Sequence, residues 1–356
     1  MFVEQRHEFI LREVRERGSV RLADLVDRLD VSMVTLRRDV EHLAGRGLVT
    51  RVHGGITLPQ EPPRPVSAMP QEAARPVGER ALTIGMLVPS ATYYYPSVIK
   101  AARDRAQDLG ARLVLGVSRY DDEEDRKQVK QLIGGGAEGL LLTLSRQPDE
   151  SHVEWLSGLG VPAVLVERVA ELGGPASFLD AAASHHAHGA FLGTRHLADL
   201  GHRRVAMVSR SSPTAPRVRH GFLTAVRELG LETCGEFGIE QEGPSDEQVA
   251  QVVGAIRAGE VTGLLVHNDE DALLLVQHLR LAGVRIPHDV SIVAYDDEVA
   301  ALSDPPLTAV APPKAAVGRH AVDLLVRRIE RGSAEPGQHV ALLPELRVRE
   351  STAARP

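Results

Sequence analysis

Two sets of side chains in this 356-residue chain have the types and spacing to do chemistry. The first lies near the N-terminus: Ser32, Val34, Thr35, Arg37 and Arg38, followed by Arg51 and His53 in the run LVTRVHGGI. Leu36, Val40 and Leu43 recur at helical spacing and share one buried face. Val34, Thr35 and Arg38 then point away from it, with Arg37 on the flank. Guanidinium forks suit phosphate, or the O6/N7 edge of guanine. The Ser32 and Thr35 side chains can donate to phosphate or meet a thymine methyl. An Arg-Arg pair on a helix is also what an ordinary solvated surface looks like.

The second set is dispersed along the chain but recurs at one kind of place, the end of a short apolar run. Tyr93, Tyr94 and Tyr95 follow the run at 81–88, and Glu167 and Arg168 end the run at 162–167. His267, Asn268 and Asp269 end the run at 263–266, and Tyr295, Asp296 and Asp297 the run at 290–295. Planar polar groups offer paired hydrogen bonds, and an aromatic face covers apolar ring atoms. Gathered at the carboxyl ends of parallel strands, these residues suit a neutral, hydroxyl-rich ligand. Plainer roles stay open: a packing cluster for the tyrosines, a helix cap for Asn268 and Asp269, structural ion pairs for Glu167 and Asp296.

Other motifs are set aside. Gly134, Gly136 and Gly139 spell G-x-G-x-x-G, but the motif follows a helix and precedes a strand, the reverse of a dinucleotide loop. His185, His186 and His188 do not fall on one helical face and have no nearby acid in sequence, so no metal site is expected. The acidic run 121–125 reads as a helix start, where carboxylates favour the dipole. No nucleophile elbow, P-loop or zinc-protease pattern is present, and neither cofactor nor enzymatic activity is expected.

Three zones must position these residues. Residues 1–56 are compact and Arg-rich but nearly balanced in charge, so any cationic face must be local. Helices are expected over about 4–17, 22–29 and from a Ser32 cap to Gly45, then a hairpin over 48–56; together they make a winged helix-turn-helix. Residues 57–80 hold six prolines and few apolar side chains, and read as an extended linker. From 81 to 356, apolar runs at 81–88, 111–117, 139–144, 162–167, 203–209, 263–267 and 290–296 alternate with amphipathic stretches. That alternation predicts parallel sheets flanked by helices, in two α/β lobes. No run approaches the ~20 apolar residues of a membrane span. A charged start without a secretory signal and a single cysteine, Cys234, fit a cytoplasmic chain; the net charge of −7 disfavours overall coating by nucleic acid.

The stretch VSMVTLRRDVEHLAGRGLVTRVHGGI resembles the signature of the DeoR-type winged helix, and the resemblance covers most of residues 4–56. It implies a recognition helix carrying Ser32, Thr35, Arg37 and Arg38. The remainder resembles the ligand-binding core of the lac repressor family, which shares the periplasmic-binding-protein fold. Its landmarks are IGMLVPSATYYYPSVIK, VPAVLVER, HLADLGHRRVAMVS, VHNDEDALLL, IPHDVSIVAYDD and DPPLTAV, spread over about 82–352. By resemblance Tyr93, Tyr94, Glu167, Asn268 and Asp296 line an effector pocket. The family's arginine clamp falls at Val218 here, flanked by Arg217 and Arg219; Arg219 is preferred and Arg217 is the alternative. The short hinge helix usual in that family has no counterpart in 57–80.

The expectation is a ligand-responsive transcriptional regulator, leaning to a repressor of carbohydrate utilisation, that binds operator DNA and a sugar or sugar derivative as a homodimer. The sensor occupies 81–356, with one lobe about 81–175 and 308–331 and the other about 176–307 and 335–352. The rivals are a solute-binding protein and a sugar-metabolising enzyme on the same scaffold.

Overall fold

The computed structural model describes residues 81–169, 174, 176–240, 243–332 and 335–355. In the first eighty residues it describes 6, 7, 9, 10, 13, 19–29, 31, 36, 39, 40, 43, 50–52 and 55–57. The chain forms two units, Met1–Glu79 and Arg80–Pro356.

In the first unit, β1 (Ser19–Arg21) leads directly into α1 (Leu22–Leu29), and β2 (Thr50–Val52) and β3 (Gly55–Thr57) pair antiparallel with Arg51 opposite Ile56. The expected hairpin is therefore present. β1 adds to it as a third strand, in the order β1-β3-β2, which the sequence reading left as a plain connection. Thr57 is paired on both sides, with Ser19 and Thr50, so the wing reaches one residue into the expected linker; residues 58–80 lie outside the described ones. The core is Ile10, Leu25, Leu29, Leu36, Val40 and Leu43, the apolar stripes expected from their helical spacing. Beside it, Asp39 accepts from Arg6 Nε at 2.8 Å and lies 3.1 Å from His7 Nε2. Burial opposes ionisation of Asp39, but the bonds from Arg6 and His7 outweigh it and hold its pKa below the usual carboxylate range.

The second unit contains two sheets. β4 (Thr83–Val88), β5 (Arg112–Val117), β6 (Gly139–Leu142), β7 (Ala163–Val166), β8 (Asp180–Ser184) and β14 (His339–Leu342) form one. It is wholly parallel, in the order β14-β8-β7-β6-β4-β5. β9 (Arg204–Arg210), β10 (Glu232–Ile239), β11 (Gly263–His267), β12 (Ser291–Tyr295), β13 (Thr308–Ala311) and β15 (Glu345–Arg347) form the other. Its order is β10-β9-β11-β12-β13-β15, parallel except for the antiparallel β13–β15 edge.

Helices cover both faces of each sheet. On the first, α2 (Tyr95–Asp108) and α9 (Lys314–Arg331) bury Val98, Ala102, Val317 and Leu325 against Met86, Leu141 and Val164. On its other face, α3 (Asp122–Gly134) and α4 (Glu150–Ser157) bury Val129, Leu132 and Leu156 against Leu87, Leu140 and Leu165. Met86 and Leu87 point to opposite faces, and both are fully buried. That is why the apolar run around them is unbroken instead of alternating. On the second sheet, α7 (Asp246–Arg257) and α8 (Asp269–Leu281) cover one face, and α5 (His186–Asp199) and α6 (Ala215–Glu228) the other. At the α5–α6 contact a Cβ on Gly221 would overlap the Ala187 carbonyl, so the two backbones meet only because position 221 has no side chain.

The chain passes between the sheets three times: from β8 into α5, from β13 into α9, and from β14 into β15. This corrects the expected lobe limits. β8 and β14 belong with the first sheet, and β13 with the second. The physical reason is non-local: β8 and β14 pair with each other, 155 or more residues apart, as Ala181 with His339 and Ser184 with Leu342.

Candidate functional site

A cavity of about 480 Å³ opens between the carboxyl ends of the two sheets. The first lobe supplies Ser90, Thr92, Tyr93, Tyr94 and Tyr95 after β4, Tyr120 after β5, and Glu167 and Arg168 after β7. The second supplies His186 on α5, the 210–214 segment ending β9, His267 and Asn268 at the end of β11, Glu270 on α8, and Asp296 after β12. Strand ends leave their last carbonyls and following side chains facing a crevice, which is why recognition concentrates there in open parallel sheets.

Four of these residues take left-handed backbone angles: Tyr93 at φ 56°, Tyr120 at φ 61°, Glu167 at φ 52° and Asp296 at φ 94°. For side chains of this size that geometry is costly, on the order of 1–3 kcal/mol each, and is held only by surrounding structure. Here it turns each side chain off a strand end into the cleft.

On the first lobe, Glu167 is the organising acceptor. Its Oε1 accepts from Tyr94 Oη at 2.8 Å and Ser184 Oγ at 2.9 Å, and its Oε2 from the Ser184 backbone N–H at 3.0 Å. His186 Nε2 lies 3.4 Å from Oε2. Burial would push the Glu167 pKa up, but His186 and these donors prevail and lower it, so the carboxylate stays ionised. Tyr295 steadies His186 from behind, donating to its backbone carbonyl at 3.1 Å.

On the second lobe the acids behave differently. Asp269 accepts the Val299 and Ala300 amides at 2.6 and 2.9 Å, and Tyr93 from the opposite lobe donates its phenol to it in a short contact. The Tyr93 oxygen also lies 3.2 Å from Asp296 Oδ2. Burial, aided by the neighbouring Asp269 charge and opposed by Lys314, pushes Asp296 up to about 8, so its carboxyl is largely protonated at neutral pH. Burial is the first cause holding His267 down at about 3, with His186 and Arg210 adding to it, so its ring is neutral. Arg210 is clamped on the buried Asp271, Nε to Oδ2 at 2.6 Å with a second bond from Nη2. The result is a wall of hydroxyls, amide, neutral acid and fixed guanidinium beside tyrosine faces, suited to a small hydroxyl-rich molecule.

Tyr93, Tyr94, Glu167, Asn268 and Asp296 all come to the cavity as expected from their strand-end positions. Asn268 also caps α8, accepting from the Asp271 amide at 3.2 Å, so the plainer reading and the cavity position hold together. Arg219 is the correction. It lies outside the cavity lining, 58% exposed, and pairs with Glu236. It sits on α6 beside Val218, which is buried in the core, so the helix turns position 219 away from the cleft. Arg217, the alternative, donates to the Val169 carbonyl at 2.7 Å. The cavity arginines are Arg168, noted from sequence only as a strand-end residue, and Arg210, which was missed. Arg210 closes the run RRVAMVSR, and a polar residue ending an apolar run was the available signal. His186, Tyr120 and Glu270 carried no such mark.

Among the N-terminal residues, Arg51 stands in β2; Ser32, Val34, Thr35, Arg37, Arg38 and His53 lie outside the described residues. Among the described residues no cluster fit to hold a metal ion occurs, and no helix is long and apolar enough to cross a membrane.

Two family profiles match the chain: a DeoR-like helix-turn-helix domain over residues 6–61 and a periplasmic binding protein-like domain over residues 194–352. The chain is 27% identical over 343 residues to the arabinose metabolism transcriptional repressor of Geobacillus stearothermophilus, covering 92% of this chain and 90% of that protein. It is 28% identical over 277 residues to the transcriptional repressor PurR of Haemophilus influenzae, covering 76% and 81%. Among solved structures, a lac repressor dimer bound to operator and the anti-inducer ONPF superposes with a TM-score of 0.67 at 25% identity, over 78% of this chain and 96% of that one. The regulator CelR in complex with cellobiose gives 0.64 at 26%, over 76% and 84%. The expected combination, a DeoR-type head and a periplasmic-binding-protein-like sensor, is present, and its relatives are transcriptional repressors.

Proposed function

We propose that this chain, a DeoR-type head joined to a two-lobed sensor, is a one-component transcriptional repressor. It binds operator DNA through the head and a sugar or sugar derivative between the sensor lobes, as a homodimer in the cytoplasm. The observation that carries the reading is the cleft: strand-end side chains of two separate sheets face each other across one polar, tyrosine-walled cavity. Ser32, Val34, Thr35, Arg37, Arg38, Arg51 and His53 form the DNA surface in this reading. Tyr93, Tyr94, Glu167, Asn268 and Asp296, with Arg210, hold the effector. No residue is given a catalytic role.

Ligand changes DNA affinity only by binding two sensor conformations unequally. Two lobes joined by three crossing strands offer those conformations, and the spacing of two heads in a dimer sets which half-sites are reached. Relatives on this scaffold hold different ligands, cellobiose in one and the anti-inducer ONPF in another, so the effector class rests on the cavity's own donors and acceptors.

Two measurements test the proposal. A gel shift with DNA from upstream of the chain's own coding sequence is expected to show binding that weakens steeply with salt, as released counterions require. A thermal-shift screen of sugars, polyols, nucleosides and phosphosugars is expected to show a sugar or sugar derivative raising the sensor's melting temperature, since a ligand selective for the native state stabilises it. DNA binding without salt dependence, or turnover of a sugar without DNA binding, refutes it.

A further inference from the structure

We propose that the effector is an amino sugar, whose ammonium is taken up by Glu270 and Asp296. This rests on the cavity being a sugar site and narrows the class it takes. The first turn of α8 carries three consecutive acids, and two of them are committed within the protein. Asp269 accepts the Val299 and Ala300 amides and the Tyr93 phenol, and Asp271 holds Arg210. Glu270 differs: it lines the cavity, its side chain is exposed there, and among the described residues nothing pairs with it. Burial and the neighbouring Asp269 raise its pKa more than Arg210 lowers it, so the carboxylate lacks a matching cation.

Asp296 gives the second, independent indication. It is 5% exposed and lines the same cavity. Its Oδ2 lies 3.2 Å from the Tyr93 phenol, while its Oδ1 meets no donor among the described residues and is not enclosed by protein. The cations around the cleft are already engaged. Arg168 spends Nε and Nη1 on the Leu144 and Glu167 carbonyls, and its Nη2 is enclosed in the first lobe. Arg210 is held by Asp271, Lys314 by Glu298, and His186 faces Glu167. Burial keeps the His267 ring neutral, at about 3. The charge left without a partner in the cavity is therefore negative.

A sugar hydroxyl would satisfy the open acceptors but not the charge; an ammonium satisfies both, and it draws Asp296 back to its ionised form. The opposite wall fits the same group. Tyr93, Tyr94, Tyr95 and Tyr120 line it, and their ring faces attract cations as well as the apolar side of a sugar ring. One ammonium already rests against this wall from behind, that of Lys314 at 4.9 Å from the Tyr94 ring centroid.

The test is calorimetric titration of the full chain at pH 6.5 with matched sets: glucose, galactose and mannose, each beside its 2-amino and its N-acetylamino form. The N-acetyl sugar keeps the substituent and removes the charge. A charge-assisted bond in a partly buried site predicts that the amine of at least one set binds about ten- to hundredfold tighter than both neutral members. Glu270→Gln is expected to narrow that ratio to within about threefold, with melting curves establishing that the variant is folded; if it is not, the wild-type sets decide alone. Neutral sugars binding as tightly as their amines in every set, or a preference unchanged by Glu270→Gln, overturn the amino-sugar effector and leave the sugar site standing. If no sugar of any kind binds at millimolar concentration, both readings fall.

Discussion

Asp296→Asn is the perturbation whose size can be worked out most directly. The Asp296 carboxyl is buried, and its pKa in the folded protein is about 8 against 3.8 for an ordinary aspartate. Between those values the native state holds a proton that the unfolded chain has released. Folding stability therefore falls as pH rises through this window, by about 1.4 kcal/mol per pH unit for one proton, and by ~6 kcal/mol across the whole of it. Asparagine has the shape of the protonated carboxyl but does not titrate. The stability of the variant minus that of the wild type should therefore rise with pH, by about 3 kcal/mol between pH 5 and pH 7. Subtracting wild type from variant cancels the opposite slopes of Glu167 and Asp39, whose pKa values are lowered. The assay is denaturant unfolding of both proteins at half-unit steps from pH 4 to pH 9, following the sensor transition. A difference independent of pH would refute the buried, protonated Asp296, and with it the neutral second-lobe wall.

Arg37→Ala with Arg38→Ala should weaken operator binding and reduce the slope of log affinity against log salt by about 1–2, with effector binding unchanged by calorimetry. Arg219→Ala should leave effector affinity within about twofold, because an exposed ion pair contributes ~0–1 kcal/mol and this one lies off the cavity. Arg210→Ala should lose affinity more than tenfold and lower sensor stability by about 3 kcal/mol, because it strands the buried Asp271 carboxylate. Equal titrations of the two variants would show that the wrong arginine lines the cleft. Gly221→Ala should destabilise the sensor by about 1–3 kcal/mol in urea melts, since its methyl meets backbone and not a movable side chain.

Much of the sensor was legible because its central strands are buried on both faces and so appear as continuous aliphatic runs: β4, β6, β7, β11 and β12 all lie in such runs. The missed elements had no such mark. β8, DAAAS, has little strand propensity and is a strand because Ala181 and Ala182 are enclosed between β7 and β14. β10, ETCGEFGI, is an edge strand largely open to solvent, and α4 is a two-turn helix fixed by an Asp149–His152 capping box. The site was legible in proportion to how local its cause was. Tyr93, Glu167, Asn268 and Asp296 follow from strand ends alone. Which arginine enters the cleft depends on how α6 rotates against its sheet, and with Val218 buried that rotation takes Arg219 outward. His186 reaches Glu167 only because the chain changes sheets between them.

The same topology explains how occupancy of the cavity is felt by the sensor as a whole. Tyr93 belongs to the first lobe, yet its phenol donates to Asp269 of the second and lies beside Asp296. Lys314, at the start of α9, where the chain returns from the second sheet to the first, donates to the Asp296 backbone carbonyl, and its ammonium sits 4.9 Å from the Tyr94 ring centroid. A ligand that takes over the Tyr93 and Asp296 hydrogen bonds therefore rewrites contacts that tie one lobe to the other. Such bonds contribute on the order of 1–3 kcal/mol each. Exchanging two of them is enough to move a two-state equilibrium between mostly one form and mostly the other, which takes about 5.5 kcal/mol for a 1:99 to 99:1 reversal and less for a partial one. Only differential contacts of this kind couple a small molecule to the lobe equilibrium, and here they converge on strand ends that face both the ligand and the opposite lobe.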